Sequence, residues 1–351
     1  MLENHDQDLT PIGNIGEFKF ISHVTRDFEL QRSEILKGIG DDAAVYAVSD
    51  EDVHVITTDF LLEGVHFDLS YAPLQHLGYK SVVVNLSDVF AMNALPFAVT
   101  VSVAMSNRFT VEAMDAFYNG VKLACERYGV DLVGGDTSSS RTGLVVSVTA
   151  VGKAKKSEVV YRSGAKANDL ICLSGDVGGA YAGLQVLNRE KAVFLQNPEI
   201  QPDLGGLEYI VGRQLKPEAR QDMILTLRKA GIQPTSMIDV SDGLASDLLH
   251  LCESSKTGAT IYEDKLMIDH QVQIVAGDFE LPALTMALNG GEDYELLFTV
   301  PLEHFDKIKN MQDVMIIGHM TEVEAGRNIV TASGSVVPLE AQGWNHFGAE
   351  S

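Results

Sequence analysis

This sequence of 351 residues has little of what marks secreted, nucleic-acid-binding or membrane proteins. It contains three cysteines, which are far apart and form no C-x-x-C pair. We therefore predict no zinc site and a reducing, cytoplasmic location. Basic residues are also scarce, because 26 lysines and arginines face 49 acids, which gives a formal net charge of −23. Such a surface repels nucleic acid and anionic membranes, so neither is expected as a partner.

Long apolar runs and the common phosphate-binding loops are missing as well. No apolar run approaches the roughly 18 residues that a membrane helix needs, and the N-terminal MLENHDQDLT is too acidic and polar for a signal peptide. The sequence has no G-x-x-x-x-G-K-[ST] loop and no pair of H-R-D and D-F-G motifs. The glycine-rich turn LSGDVGGAYAGL carries no lysine. A protein this acidic that handles phosphates is expected to neutralise them with metal.

What is present is an alternation of strand and helix patterns, which predicts an α/β (α+β) architecture. VHVITTDFL and PFAVTVSVAM are strand-like, whereas PLQHLGYKSVVVNLSDVFAMNAL has helical length. The polar stretch KAKKSEVVYRSGAKAND interrupts this alternation, which restarts at DLICLSG. We therefore predict two domains, residues 1–155 and 156–351. Residues 188–209 carry little pattern and are predicted to form an exposed excursion.

Several acids lie where a solvated carboxylate is not expected. Asp42 follows two glycines and precedes an apolar run in GIGDDAAVY. Thr57, Thr58 and Asp59 end the strand-like VITTD, and their hydroxyl and carboxylate oxygens are the ligands that Mg²⁺ prefers. A cap on the next turn is the alternative for Asp59.

Asp88 lies on a predicted helix whose other positions are strongly apolar. Ser81, Asn85 and Asp88 share one face at helical spacing. A polar stripe on a buried helix needs partners, because an isolated buried carboxylate is prohibitively costly. A structural hydrogen-bond network and a functional site both meet that need, and we favour the functional site.

Three further acidic motifs follow glycines or strand ends. Asp136 follows a glycine pair in LVGGDTS, where a ligand can approach the main chain closely, although a tight turn gives the same pattern. Asp239 and Asp242 flank Ser241 at a predicted helix start, and an N-cap explains only one of the two acids. Glu292 in NGGEDYEL repeats the pattern of glycines followed by acids.

The electrostatic cost of gathering these acids decides between two arrangements. Two like charges 4 Å apart repel by roughly 4 kcal/mol at an effective dielectric constant near 20. Several acids in one cleft would exceed the net stability of a domain, which is roughly 5–15 kcal/mol. Either the acids are dispersed, or cations hold them together. Magnesium that bridges carboxylates to substrate phosphates predicts phosphoryl transfer as the reaction class.

Eight motifs, taken together and in order, resemble the thiamine-monophosphate kinase family, which belongs to the superfamily of aminoimidazole ribonucleotide synthetase. The motifs are GIGDDAAV, TTDFLLEGVHF, YKSVVVNLSDVFAM, LVGGDTS, YRSGAKANDLICLSG, IDVSDGLASDL, NGGEDYEL and GWNHF. They run from about residue 16 to residue 347, which is nearly the whole chain. Each motif alone is weak evidence, but eight at compatible spacing are specific.

The resemblance implies a fold and a reaction. The fold is a two-domain, aminoimidazole ribonucleotide synthetase-like fold, in which the N-terminal sheets of two subunits form a barrel across a homodimer. The reaction moves the γ-phosphoryl group of ATP directly, in line and without a phosphoenzyme, onto thiamine monophosphate. Its products are thiamine diphosphate and ADP, and its cofactor is a cluster of Mg²⁺ ions.

The resemblance also assigns roles to positions of this sequence. It implies that the metal ligands are Asp42, Thr57, Thr58, Asp59, Asp88, Asp136, Asp239 and Asp242, with Asp88 and Asp239 as catalytic residues. The implied ATP-binding residues are Tyr118, Gly135, Asp136, Arg162 and Ser241. The implied substrate-binding residues are His66, Glu292 and Trp344, since an aromatic plane and a carboxylate suit a cationic heterocycle.

Three positions need comment. If Asp42 is drawn inward by magnesium, as the resemblance implies, Asp41 is expected to brace the turn or cap a neighbour. A packed aromatic residue is an equal alternative for Tyr118. Asn93 stands where the family commonly has glycine, and asparagine tolerates left-handed backbone.

Other families and another class of function compete with this interpretation. Selenophosphate synthetase has a reactive residue near its N-terminus, whereas the first cysteine here is Cys125. The hydrogenase-maturation relative ends in cysteine, whereas this chain ends in Ser351. Aminoimidazole ribonucleotide synthetase is less cleanly excluded. A non-catalytic nucleotide-binding scaffold is the alternative from another class.

Overall fold

A computed structural model describes residues 12–14 and 16–341 of the chain, and two sheets organise them. The first sheet has six strands in the order β1-β2-β3-β6-β4-β5. These strands are β1 (Ile35–Lys37), β2 (Ala44–Ala47), β3 (Asp52–Leu62), β4 (Leu95–Met105), β5 (Asp131–Ser139) and β6 (Val145–Lys155). Neighbouring strands are antiparallel except β4 and β5, which are parallel.

The second sheet has seven strands in the order β13-β12-β9-β11-β7-β10-β8. Its strands are β7 (Leu170–Ser174), β8 (Ser236–Asp239), β9 (Gly258–Tyr262), β10 (Leu296–Val300), β11 (Val314–Thr321), β12 (Arg327–Val330) and β13 (Val336–Pro338). Only β9 and β12 are a parallel pair among the described strands of this sheet. The predicted domain boundary at residue 155 therefore lies between the last strand of one sheet and the first strand of the other.

Ten α-helices are described. They are α1 (Glu17–Thr25), α2 (Leu74–Ala91), α3 (Val111–Tyr128), α4 (Gly179–Gln196), α5 (Glu208–Leu215), α6 (Gln221–Lys229), α7 (Leu244–Ser255), α8 (His270–Asp278), α9 (Ala283–Asn289) and α10 (Phe305–Ile308). Among the described residues, no helix has both the length and the apolar character to cross a membrane.

Helix α2 is buried on nearly all sides, as its sequence predicts. It packs on β3, β4 and β6 of the first sheet, on α3, and on β8 and α5 of the second domain. The contact with α3 is very close, because a Cβ added to Gly78 would lie 1.9 Å from the carbonyl oxygen of Phe117. A Cβ on Gly120 would likewise lie 1.9 Å from the carbonyl oxygen of Gln75. The two glycines let the backbones of α2 and α3 meet.

The second sheet is covered on both faces. On one face Ile171, Leu173 and Leu297 pack with apolar residues of α7. The alternate residues, such as Cys172 and Phe298, belong to a core cluster that includes residues of α2, α3 and α6. Because strand side chains alternate between faces, the second sheet buries one face against the first domain, and α2 lies between the two sheets.

The structure confirms the predicted mixed α/β architecture. It also confirms that Asn93 adopts the left-handed backbone expected of it, with φ at 53°. Residues 188–209 are mostly exposed, as predicted, although the first part has regular structure that was not predicted, since α4 continues to Gln196. The described part of the first sheet is open and does not close into a barrel within one chain.

Candidate active site

Three buried or partly buried aspartates converge between the two domains. Asp42 follows β1, Asp88 lies near the end of α2, and Asp239 ends β8. One carboxylate oxygen from each lies within 4.8 Å of those of the other two. The site therefore unites a turn, a helix and a strand that are distant in sequence.

Each of these carboxylates has a specific partner. The Thr57 hydroxyl donates to Oδ2 of Asp88 at 2.6 Å. The Ser87 hydroxyl donates to Oδ2 of Asp239, also at 2.6 Å. Arg162 donates to Oδ1 of Asp42 through Nε at 3.0 Å and Nη2 at 2.5 Å. These bonds fix the orientation of each carboxylate, and they leave the Oδ2 atom of Asp42 buried and without a hydrogen-bond partner.

Burial raises the pKa of all three carboxyl groups above the ordinary value. The pKa of Asp42 rises to about 6 although Arg162 opposes the shift, and the pKa of Asp239 rises to about 8. The pKa of Asp88 is raised well above its usual range by desolvation and then by the charges of Asp59, Asp239 and Asp42. The cluster is thus costly to ionise fully without a cation.

Two further predicted ligands lie beside the three aspartates. Asp59 accompanies them on β3, its backbone N–H donates to Oδ1 of Asn85 at 3.0 Å, and desolvation followed by the charge of Asp242 raises its pKa to about 6. Asp242 lies in the turn before α7. The structure therefore brings five of the predicted acids, Asp42, Asp59, Asp88, Asp239 and Asp242, into one electrostatic neighbourhood.

One acid in this region has no signal of its own in the sequence. Asp247 on α7 is buried, and its Oδ2 accepts from the backbone N–H groups of Asp242 and Gly243 at 3.2 and 3.1 Å. The free N–H groups expected at this helix start are thus occupied by a side chain. An aspartate one turn into a helix is a common sequence feature, so only the fold reveals its burial. Ser241 precedes this turn, and its carbonyl accepts from the backbone N–H of Glu292 at 2.8 Å.

The expectation that Asp41 braces the turn is confirmed. Its Oδ1 accepts from the backbone N–H of Arg162 at 3.0 Å and from that of Asp42 at 3.3 Å. Lys37 lies 3.1 Å from Oδ2. Asp41 thereby ties the turn to the segment that carries Arg162, while Asp42 faces the cluster.

Thr58 does not direct its hydroxyl toward the cluster, contrary to the role predicted for it. Thr57 contacts Asp88, so the neighbouring Thr58 side chain lies on the opposite face of β3. There its hydroxyl donates to the carbonyl oxygen of Val148 at 3.0 Å. Adjacent strand residues cannot present both hydroxyls to one ion from the same face.

Gly135 and Asp136 are not brought to the cluster either. They lie on β5, an edge strand separated from β3 by β6 and β4, which is about 14 Å across the sheet. Asp136 pairs in register with Ser102, which pairs with Ser147, which pairs with Phe60. These residues share the open face of the sheet, opposite to α2, and Asp136 is exposed.

Tyr118 lies on α3, and its ring packs edge-on against Phe117 with centroids 5.4 Å apart. It belongs to the partly buried rim of the first core cluster. Desolvation is what raises its pKa. This placement matches the packed-aromatic alternative.

Two predicted substrate residues, His66 and Glu292, lie near each other at the other end of α2. His66 lines a small cavity together with Tyr71, Lys80 and Gln214. Glu292 pairs with Lys80 Nζ at 2.9 Å and accepts from Gln214 Nε2 at 2.7 Å. The backbone of Glu292 is left-handed, with φ at 66°, and such strain is commonly found at functional sites. Trp344 lies outside the described residues.

The residues of the cluster fit a hard divalent cation. All the converging atoms are carboxylate oxygens, which Mg²⁺ prefers. The buried Oδ2 of Asp42 receives no hydrogen bond from any described residue, although Arg162 pairs with Oδ1 of the same carboxylate. A divalent cation there would offset the repulsion that raises the three pKa values.

The chain is similar to known proteins along nearly its whole length. Residues 40–154 match the family described as AIR synthase related protein, N-terminal domain. The thiamine-monophosphate kinase of Bacillus subtilis (strain 168) is 33% identical over 339 residues, which are 95% of this chain and 100% of that protein. The enzyme of the same name from Aquifex aeolicus (strain VF5) is 34% identical over 334 residues, 95% of this chain and 98% of that protein.

A solved structure is similar to this chain in both fold and sequence. AaThiL complexed with AMPPCP and TMP is 32% identical, with a TM-score of 0.80 over 97% of this chain and 100% of that one. Its similarity extends over both sheets, so the aminoimidazole ribonucleotide synthetase-like fold predicted for this chain is confirmed. From its sequence identity and coverage, this chain belongs to the thiamine-monophosphate kinase family.

Proposed function

We propose that this protein transfers the γ-phosphoryl group of ATP to thiamine monophosphate, in line and without a phosphoenzyme, on a cluster of Mg²⁺ ions. The observation that carries the proposal is the convergence of Asp42, Asp88 and Asp239 in a chain that belongs to the thiamine-monophosphate kinase family. The similar structure with AMPPCP and TMP supports ATP and thiamine monophosphate as the ligands.

The residues of the cluster would hold the metal ions. Asp42, Asp59, Asp88, Asp239 and Asp242 are the proposed ligands, with Thr57 through its hydroxyl and Thr58 through its main chain. Bound Mg²⁺ would supply charge that offsets the repulsion between two phosphate groups. Asp88 and Asp239 orient this charge, because Thr57 and Ser87 hold their carboxylates in place. The acceptor is already a phosphate anion, so the chain needs no general base to expose a nucleophile.

Arg162 is the proposed contact to the ATP phosphates. Its guanidinium pairs with Asp42 at the edge of the cluster, where a planar fork of donors can also bind phosphate oxygens in pairs. Ser241 is proposed to contact the nucleotide from the second domain. His66 and Glu292 are proposed for the thiamine side, with Trp344 as the stacking residue.

A homodimer is also proposed, formed through the open face of the first sheet. This face carries Phe60 with 61% of its surface exposed, and edge strand β5 adds Val133 at 63% and Leu132 at 45%. Exposed apolar patches of this kind mark interaction surfaces. Gly135 and Asp136 lie on the same strand, so their proposed nucleotide contact would be made within the dimer. Tyr118, also proposed to contact the nucleotide, lies on α3, which packs on α2.

One coupled assay tests the function. The protein is incubated with ATP, Mg²⁺ and thiamine monophosphate, and both thiamine diphosphate and ADP are measured. The proposal expects the two products in equal amounts. ADP formed only with a purine ribotide would assign the protein to the purine-pathway relative, and no ADP under any condition would indicate a non-catalytic scaffold.

A separate measurement tests the dimer. Sedimentation should give twice the chain mass for the wild type and the chain mass for Phe60→Asp. Exposed Val111→Asp on α3, outside the sheet, serves as the control and should remain dimeric. A monomeric wild type would refute the proposed assembly.

A further inference from the structure

The cavity between α2 and α5 contains a buried acceptor that no residue of the described chain uses. Gln214 is 5% exposed and lines the cavity, and its Oε1 has no hydrogen-bond partner among residues 12–14 and 16–341. The orientation of the amide is fixed, since Nε2 donates to the Glu292 carboxylate at 2.7 Å and a carboxylate only accepts. Because an unmet buried acceptor costs free energy, this atom indicates a ligand group that donates a hydrogen bond.

Lys80 supplies the complementary donor in the same cavity. It is 3% exposed, and its Nζ donates to the Gln214 carbonyl oxygen at 3.1 Å and pairs with Glu292 at 2.9 Å. An ammonium group has three N–H donors, so one remains for a ligand. The cavity offers about 10 Å³, which is enough for one water-sized group such as an amino group.

This donor–acceptor pair lies on the same side of α2 as the helix's contact with the acidic cluster. Lys80 and Ser87 are seven residues apart on α2, so they lie on one side of the helix, about 10 Å from each other. Ser87 contacts Asp239 of the cluster. A ligand whose phosphate lies at the cluster and whose body follows α2 therefore reaches the cavity with its other end.

We propose that Gln214 and Lys80 form a specificity subsite that recognises the aminopyrimidine end of the acceptor, an inference that rests on the proposed function. The exocyclic amino group donates to Gln214 Oε1, and the adjacent ring nitrogen accepts from Lys80 Nζ. A carbonyl oxygen in place of the amino group would meet Gln214 Oε1 acceptor to acceptor. The subsite thus selects heterocycles by an amino group beside a ring nitrogen.

The test compares thiamine monophosphate with its 4-oxo analogue, oxythiamine monophosphate. The wild type should prefer the amino substrate by roughly 10- to 100-fold in kcat/KM, the usual consequence of an unpaired buried polar group. Gln214→Met should lower kcat/KM for the amino substrate and bring the ratio of the two substrates to within about threefold. If Gln214 only supports Glu292, Gln214→Met should lower kcat/KM equally for both substrates and leave their ratio unchanged.

The control is Gln233→Met, the same substitution at an exposed glutamine that bonds to the Ser157 carbonyl, and it should keep the wild-type ratio. The comparison of the two substrates on the wild type needs no variant, so it decides the proposal even if Gln214→Met does not fold. Phosphorylation of both substrates with equal kcat/KM would overturn the subsite and leave the proposed function standing. No diphosphate product from either substrate, neither thiamine diphosphate nor oxythiamine diphosphate, would overturn both.

Discussion

At the scale of single residues, Arg162 supplies the positive charge beside the buried Asp42. Its guanidinium is the cation paired with Asp42, whose side chain is fully buried. Removing one partner of a buried ion pair leaves an uncompensated charge. Arg162 therefore stabilises the metal-free protein, and a divalent cation bound to Asp42 would take over this role and leave the guanidinium available to phosphate.

We expect Arg162→Met to lower the free energy of unfolding of the metal-free protein by roughly 3–5 kcal/mol. Saturating Mg²⁺ should recover much of this loss, because the metal replaces the missing charge. Thermal unfolding with EDTA and with Mg²⁺ measures both effects. Arg189→Met, which removes a more exposed arginine paired with Glu190 and Asp278, is the control. An equal loss with and without Mg²⁺ would contradict the exchange of cations.

Asp88→Asn should fold and lose nearly all turnover. Asparagine keeps an oxygen that can accept from Thr57, but it removes the charge that three neighbouring acids oppose. The metal-free variant should be at least as stable as the wild type, since a repulsive charge has been removed. Thiamine diphosphate formation and the unfolding temperature are the two measurements. A wild-type rate in this variant would refute the assigned role.

At the scale of elements, the sequence predicts more of the structure where its periodicity is strong. Helix α2 and strands β3 and β4 match their predicted segments, because few other structures bury such long apolar patterns. The short α5, α8 and α9 were not predicted, since these helices are stabilised by packing on α4 and on one another, which the sequence does not show. Asp247 was not predicted either, because its burial becomes visible only once the turn before α7 folds and directs two backbone N–H groups to its carboxylate.

The differences between the predicted and the observed arrangement of the site also arise at this scale. Thr57 and Thr58 are consecutive in a strand, so alternation alone places their side chains on opposite faces. Asp136 lies on a strand whose place in the sheet could not be read from the sequence, and this strand, β5, is the edge. Local motifs predicted which acids and hydroxyls are candidates for the site. The order of the strands in the sheet determines which of these side chains lie in the aspartate cluster.

The contact between α2 and α3 should be intolerant of even one methyl group. Gly78→Ala places a Cβ where the Phe117 carbonyl oxygen lies, and we expect a loss of roughly 1–3 kcal/mol or more in the free energy of unfolding. Gly277→Ala on α8 has nothing within 4 Å of the new Cβ, so it should stabilise by about 0.5–1 kcal/mol. Denaturant unfolding of the two variants measures the difference. Equal stabilities would refute the close packing.

For the whole molecule, the raised pKa values predict how stability depends on pH. The pKa is about 6 for Asp42 and Asp59 and about 8 for Asp239, whereas an unfolded aspartate has a pKa of about 3.9. The folded, metal-free protein therefore binds more protons than the unfolded chain. These groups contribute stability that is complete below about pH 4 and is lost as the pH rises through about 6 and then 8.

The unfolding temperature in EDTA should accordingly fall between about pH 5 and pH 9, and added Mg²⁺ should raise it most at the alkaline end. Asp239→Asn should flatten the alkaline part of the EDTA profile. Unfolding scans at four pH values, with and without Mg²⁺, test this expectation. An unchanged alkaline slope in the variant would show that another group is responsible.

The three converging aspartates are synthesised at different times. Asp42 and Asp88 leave the ribosome well before Asp239, and the carboxylate of Asp239 joins them only when β8 is in place. A nascent chain that ends before β8 therefore lacks one of the three carboxylates of the proposed magnesium site. We expect such a chain to bind the ion more weakly than a chain that includes β8.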